Sequence, residues 1–259
     1  MTAAYSLKDK HAVVTGASRG IGAAIARVLA AEGARVSLLA RDAATLATVA
    51  QELGPEGALA VTADVADAAS VAQAFEAARR RFGPVHILIN NAGQAASAKF
   101  TDTDAELWNR ILGVNLTGTY LCARAAISDM LQAGFGRIVN IASIAGLRGA
   151  AYLTAYVTSK HAVVGFTRAL ALEYATRNIT VNAVCPGYVD TDIVKNAVAN
   201  ISRKTGRSAA EARATLVATN PQGRLVTSEE VAHATLWLCQ PGAESVTGQS
   251  IVLAGGEVT

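Results

Sequence analysis

Tyr156-Val157-Thr158-Ser159-Lys160 sets a phenol and an ammonium four residues apart. On a helix that spacing puts both side chains on one face. A phenol with an ordinary pKa of roughly 10 is a poor acid–base group at neutral pH. An ammonium beside it favours the phenolate, so the two together could pass a proton to and from an oxygen. Ser143, at the end of a strand-like run, offers a hydroxyl that could hold the same oxygen. Taken alone, a Tyr-x-x-x-Lys pair also arises as decoration on many helices.

A second constellation lies near the start. Thr15-Gly16-Ala17-Ser18-Arg19-Gly20-Ile21-Gly22 follows an apolar run and opens an Ala-rich stretch. Glycines there allow a tight turn and let backbone N–H groups approach a pyrophosphate, at a helix N-terminus whose dipole favours anions. The spacing is G-x-x-x-G-x-G rather than G-x-G-x-x-G, and a plain turn is the competing reading. The next strand-like run ends Leu39-Ala40-Arg41. A carboxylate at that end would bind a ribose diol and repel a 2′-phosphate. None is present, and Arg41, with Arg19 from the glycine turn, offers guanidinium forks suited to phosphate. NADP(H) is therefore expected over NAD(H), with Asp42 as a helix N-cap. Asp64-Val65, closing the third run, could accept from an adenine amino group.

These groups need a scaffold. Apolar, β-branched runs near 11–15, 34–40, 58–63, 85–90, 137–142, 179–184 and 249–254 alternate with helical stretches near 21–31, 43–53, 67–82, 104–133, 153–176 and 228–240. Such alternation predicts an α/β chain with a doubly wound, parallel, seven-stranded sheet of Rossmann type, helices on both faces. With no divider along its length, residues 1–259 are expected to form one domain. The stretch from Pro186 to about Arg224 interrupts the alternation, with helix-compatible pieces at Asp192–Arg203 and Ser208–Thr219. A substrate lid at about 187–224 is expected there; a surface or subunit-contact excursion is the alternative.

Composition excludes several function classes. Cys122, Cys185 and Cys239 stand far apart with no Cys-x-x-Cys pair, and His11, His86, His161 and His233 lack ligand spacing. Neither a disulfide framework nor a metal site is expected. No apolar run is long enough to span a bilayer. Met1 to Lys10 lacks the pattern of a secretory leader, so a cytoplasmic location is expected. Net charge is only +3. The densest basic run, Arg79-Arg80-Arg81, falls at a helix end, where cations suit the dipole, and no nucleic-acid partner is expected.

In their order along the chain, the glycine turn, Asp64-Val65, Asn90-Asn91-Ala92-Gly93, Asn115, Ser143, Tyr156 with Lys160, and Pro186-Gly187 with Thr191 resemble the single-domain branch of the short-chain dehydrogenase/reductase superfamily. The match covers almost the whole chain. The resemblance implies that Tyr156 protonates a carbonyl oxygen as hydride arrives from a nicotinamide, while Ser143 holds that oxygen. It implies that Lys160 binds the nicotinamide ribose and depresses the tyrosine pKa, and that Asn115 holds a water in a proton relay. Asn90, Asn91, Ala92 and Gly93 would line the cofactor, and Val189 with Thr191, after Pro186-Gly187, would fix its carboxamide. The Ala40-Arg41 ending matches the family's NADP-preferring subset. A catalytically silent nucleotide sensor on this fold is disfavoured by the intact set.

Within that family the chain is similar to 3-oxoacyl-thioester reductases and to aromatic polyketide ketoreductases, best over Gly136–Ser143, Thr180–Gly187 and Val246–Gly256. The implied activity is reduction of a 3-oxoacyl thioester carried on coenzyme A or a carrier protein; a reductase of small non-thioester ketones is the alternative. Gln94, Leu147, Leu153 and Tyr188 are candidate pocket residues. Basic residues in the lid, Lys195, Arg203, Lys204, Arg207 and Arg213, could attract phosphates or simply face water. The family usually assembles as tetramers, and apolar surface on more than one side of the helices around Leu121–Ala126 and Ala162–Phe166 is compatible with that.

Overall fold

A computed structural model describes residues 7–258; Met1–Ser6, part of the stretch read for a leader, and Thr259 lie outside it. Seven parallel strands form one sheet: β1 (His11–Thr15), β2 (Arg35–Ala40), β3 (Ala58–Thr62), β4 (Ile87–Asn90), β5 (Gly136–Ile141), β6 (Ile179–Pro186) and β7 (Ser250–Leu253). Their order is β3-β2-β1-β4-β5-β6-β7. The chain thus winds outward in both directions from β1 and β4, and the crevice where the winding reverses opens at the carboxyl ends of those two strands. This is the Rossmann-type sheet the alternation predicts.

Strand burial explains the apolar runs. All residues of β1, β4, β5 and β6 are buried, since helices cover both faces. On one face α1 (Gly20–Ala31), α2 (Ala43–Leu53) and α9 (Ser228–Cys239) pack over β1, β2 and β5; on the other lie α3 (Ala68–Phe82), α5 (Gly118–Ala133) and α6 (Thr154–Tyr174). Ile25 and Leu29 of α1 are fully buried, each stabilising the fold by about 1.5–3 kcal/mol. Asp42 caps α2 as expected, accepting from Ala44 N at 3.1 Å and Thr45 N at 3.2 Å. The Arg79–Arg81 run is committed to carboxylates: Arg79 to Asp129, Arg80 to Glu76 and Arg81 to Glu56.

The helix expected over 104–133 is not continuous. It divides into α4 (Ala105–Leu112), a π-helical turn at Gly113–Thr117, and α5. A β-carbon on Gly118 would lie 2.7 Å from Val65 Cγ2, so the helix passes that loop only because residue 118 is glycine. The wider turn presents Asn115 inward. The 187–224 segment folds as α7 (Asp192–Thr205) and α8 (Ala209–Val217), bracketed by a parallel bridge between Val189 and Val226.

At the sheet's amino end His11 is buried, with Nδ1 2.9 Å from Gly83 O and Nε2 2.9 Å from Ser37 Oγ. Burial lowers its pKa to about 4. The unfolded chain therefore binds this proton more readily, and stability is complete above pH ~6.5 and falls as pH drops towards 4. The loss expected from His11 is about 3 kcal/mol. Urea unfolding between pH 7 and 5 checks this: the wild type should weaken progressively, whereas His11→Gln, weaker at pH 7, should lack most of that slope. Equal slopes would contradict it.

Candidate active site

The glycine turn joins β1 to α1 and is braced from β4. Gly16 and Gly20 have φ of +63° and +53°. A β-carbon on Gly22 would fall 2.3 Å from Gly16 O and 2.5 Å from Asn91 Nδ2. Asn91 donates that amide to Thr15 O at 2.9 Å and Gly16 O at 3.1 Å. Thr15 Oγ1 accepts from Asn91 N and Ala92 N, both at 3.0 Å, and donates to Ile89 O at 3.3 Å. The result is a rigid, side-chain-free concavity at a helix N-terminus, which Ser18 and Ile21 complete. It suits the phosphates of a dinucleotide.

Around it, Arg41 is exposed and makes no ion pair among the described residues. Arg19 lies within electrostatic reach of neighbouring Asp42 but forms its ion pair, at 3.4 Å, with Asp192 in the first turn of α7. A β-carbon on Gly20 would meet Thr191 Cγ2 at 3.2 Å, so the start of the 187–224 segment rests on the glycine turn. Asp64 accepts from Ala66 N at 2.9 Å, and Val65 is buried behind it.

The second half of the crevice collects the proton-handling groups. Ser143 follows β5, caps a 3-10 turn by accepting from Ala145 N at 3.1 Å, and lies 3.5 Å from Pro186 O. Its hydroxyl reaches the Tyr156 phenol. Lys160, one helical turn on, is buried and donates from Nζ to Ile141 O at 2.8 Å, 5.8 Å from the Tyr156 ring centroid. A β-carbon on Gly93 would be 3.7 Å from Lys160 Nζ and 3.5 Å from Asn115 Oδ1. Tyr156, Lys160, Ser143, Gly93 and Asn115 therefore converge.

The electrostatics differ from the sequence expectation. Burial raises the Tyr156 pKa, with Ser143 opposing it. Burial also lowers Lys160 to about 8. The expected ammonium–phenol attraction is outweighed because both groups are desolvated and the ammonium is aimed at the Ile141 carbonyl. Asn115 accepts from Gln94 N at 2.8 Å and donates to Gln94 O and Ser159 Oγ, each at 2.9 Å. Its carbonyl accepts from Thr119 at 2.8 Å. The side chain thus clamps the loop after β4 onto α6.

Other site residues are partly structural. Asn90 Nδ2 donates to Asn140 Oδ1 at 2.9 Å, and Asn140 Nδ2 donates to Thr167 Oγ1 at 2.9 Å, forming a buried chain from β4 across β5 to α6. Of the pocket candidates, Leu147 packs with Ala142, Val163 and Cys185, and Tyr188 packs beneath α7 and α8 with Val194, Leu216 and Leu225. Gln94 is placed by Asn115, and Leu153 stands at the start of α6. Sequence reasoning missed Ser159, whose hydroxyl donates to Tyr156 O at 2.7 Å, and the carboxyl-terminal Glu257. Ser159 was legible as a polar residue on the Tyr156 helix; Glu257 was not.

This fold, with a glycine cradle facing a Ser–Tyr–Lys cluster across the switch point, matches the family model described as short chain dehydrogenase over residues 10–202, and the chain belongs to that family. It is an oxidoreductase of the class that interconverts hydroxyl and carbonyl groups. A putative ketoacyl reductase of Streptomyces coelicolor is 41% identical over 249 residues, covering 95% of each chain. A cis-4-hydroxycyclohexanecarboxylate dehydrogenase of Sinomonas cyclohexanicum is 40% identical over 251 residues, covering 96% of each. Among solved structures, a variant actinorhodin polyketide ketoreductase crystallised with NADPH superposes with a TM-score of 0.92, at 40% identity over 99% of both chains.

Proposed function

We propose that this protein is an NADP(H)-dependent reductase that converts a 3-oxoacyl thioester, on coenzyme A or a carrier protein, to the 3-hydroxyacyl form. The observation that carries the reading is the convergence of Ser143, Tyr156 and Lys160 beside a side-chain-free phosphate cradle. Relatives named as ketoacyl reductases support the substrate class. Gly16, Ser18, Gly20, Ile21 and Gly22 would hold the pyrophosphate, Arg41 and Arg19 the 2′-phosphate, and Asp64-Val65 the adenine. Asn91, Ala92, Gly93, Pro186, Gly187, Val189 and Thr191 would line the nicotinamide half, with Lys160 on its ribose.

A nicotinamide held there would supply the hydride for the carbonyl carbon. Ser143 holds the carbonyl oxygen and Tyr156 gives it a proton. Burial keeps Tyr156 protonated at neutral pH, the form reduction requires. The phenolate left behind would lie near the Lys160 ammonium, 5.8 Å from the ring centroid, and would recover its proton from solvent, for which Asn115 is the proposed relay position. The 187–224 segment is proposed as the lid of a single domain spanning 1–259. A homotetramer is supported by apolar side chains left outward on α5 and α6, where Tyr120 is 42% and Leu172 83% exposed; a monomeric mass by light scattering would refute it. The three cysteines are free and buried, in keeping with a cytoplasmic location.

Assaying acetoacetyl-CoA, ethyl acetoacetate and aryl ketones with both cofactors tests the reading: thioester turnover with NADPH is expected. Turnover of small ketones with none of any thioester would favour the alternative, a reductase of small non-thioester carbonyls, to which the cyclohexanecarboxylate relative lends support. For the cofactor, Arg41→Ala should weaken NADPH binding about tenfold or more while sparing NADH. Equal losses would contradict the NADP(H) preference and leave NAD(H) as the alternative.

A further inference from the structure

The last described residues carry a group that the proposed chemistry does not use. After β7, the backbone turns at Ala254–Glu257, with Glu257 N donating to Ala254 O at 3.1 Å and Gly187 N to Leu253 O at 2.9 Å. Gly255, at φ +58°, passes so close to Asn220 that a β-carbon would lie 2.0 Å from its Oδ1. The tail is thereby pinned under the end of the 187–224 segment, and the turn sets Glu257 beside Gly187, just past the carboxyl end of β6. Its side chain is only 3% exposed.

The two carboxylate oxygens are used differently. Oε1 pairs with Arg148, which stands on the loop between Ser143 and Tyr156 and whose side chain is 46% exposed. Oε2 is buried and has no hydrogen-bond partner among the described residues. It faces Gly187, whose β-carbon, if present, would be 3.4 Å away. Burial is the main cause of the raised pKa of both Tyr188 and Tyr156, with Glu257 acting on Tyr188 and Tyr188 on Tyr156 as lesser electrostatic causes. A carboxylate oxygen buried without a donor is costly, so a ligand that brings a donor regains the loss.

Resting on the reading of this site as a carbonyl reductase, we propose that Glu257 is a specificity-determining residue: its Oε2 accepts from an O–H or N–H group on the body of the substrate. Arg148 holds the carboxylate in place by occupying Oε1. The pocket then selects neutral ketones that carry a hydrogen-bond donor away from the reacting carbonyl, such as a hydroxyl or the amide N–H of a pantetheine-like arm, and disfavours carboxylates. Glu257 takes no part in the proton transfer.

Two matched pairs test this: acetoacetyl-N-acetylcysteamine against S-ethyl thioacetoacetate, and 4-hydroxycyclohexanone against cyclohexanone. The wild type should favour the donor-bearing member of at least one pair about tenfold or more in kcat/KM. Glu257→Ala should bring that ratio near one. Glu257→Gln, whose amide oxygen serves Arg148 and whose NH2 then replaces Oε2, should lose the preference too. A merely structural tail would lower both members of a pair together and leave the ratio unchanged, which would overturn the proposal. No turnover of any ketone with either cofactor would overturn the reductase reading, and this inference with it.

Discussion

Tyr156→Phe should yield a folded protein that binds NADPH as before and reduces its ketone about 10²–10⁴-fold more slowly. The ring is retained, so the packing around α6 is retained. Lys160 keeps its anchor, because its Nζ bonds the Ile141 carbonyl rather than the phenol. Ser143 also keeps its contacts with Ala145 N and Pro186 O. What disappears is the proton that Tyr156 would transfer to the substrate oxygen. The loss should fall on kcat, with NADPH affinity by fluorescence and melting temperature unchanged. Activity within a few-fold of wild type would remove Tyr156 from the mechanism.

Gly22→Val should be as severe by another route. The first added carbon would lie 2.3 Å from a backbone oxygen, Gly16 O, and 2.5 Å from the Asn91 amide that braces the turn. Neither neighbour is the free end of a flexible side chain, since Asn91 is tied to Thr15 and Gly16. The turn must open, and with it the alignment of N–H groups that would cradle a pyrophosphate. We expect nucleotide binding to fall below detection in titration calorimetry, with a loss of several kcal/mol in urea stability, on the scale of core overpacking. Gly149→Ala, where the added β-carbon meets nothing within 4 Å, is the control and should bind normally. Retained binding by Gly22→Val would show that the cradle is not where the phosphates sit.

Sheet and cradle were largely legible because their signals are local. Ile87–Ile89 and Ile138–Val139 are apolar runs with no polar alternation, and they became strands buried on both faces. The interrupted helix around Asn115 was not legible: nothing in Leu112–Gly118 announces that Val65, far away in sequence, will press on residue 118. The Tyr156–Lys160 pairing was visible as spacing, yet its electrostatics depended on burial and on a carbonyl from β5, which spacing does not encode. Arg19 is expected from the sequence to join Arg41 on a phosphate, and its Asp192 partner comes from a segment more than 170 residues later. Glu257 is the extreme case: a lone acid near a terminus, it owes its burial to Gly187, Gly255 and Arg148, brought together only by the finished fold.

The bracing of Thr15 by Asn91 and Ala92 has a consequence for how the molecule comes into being. The cradle looks like one contiguous motif, but it is held by hydrogen bonds spanning 75 to 77 residues of chain. Closing so long a loop is slow compared with forming α1 or α2. A nascent chain that has emerged only as far as β3 would carry every glycine of the turn and none of its support. Competence to hold a nucleotide should therefore arrive late and abruptly during refolding, after β1 and β4 have paired. A nucleotide bound there would stabilise the whole sheet by mass action, including the strands and helices that make no contact with it.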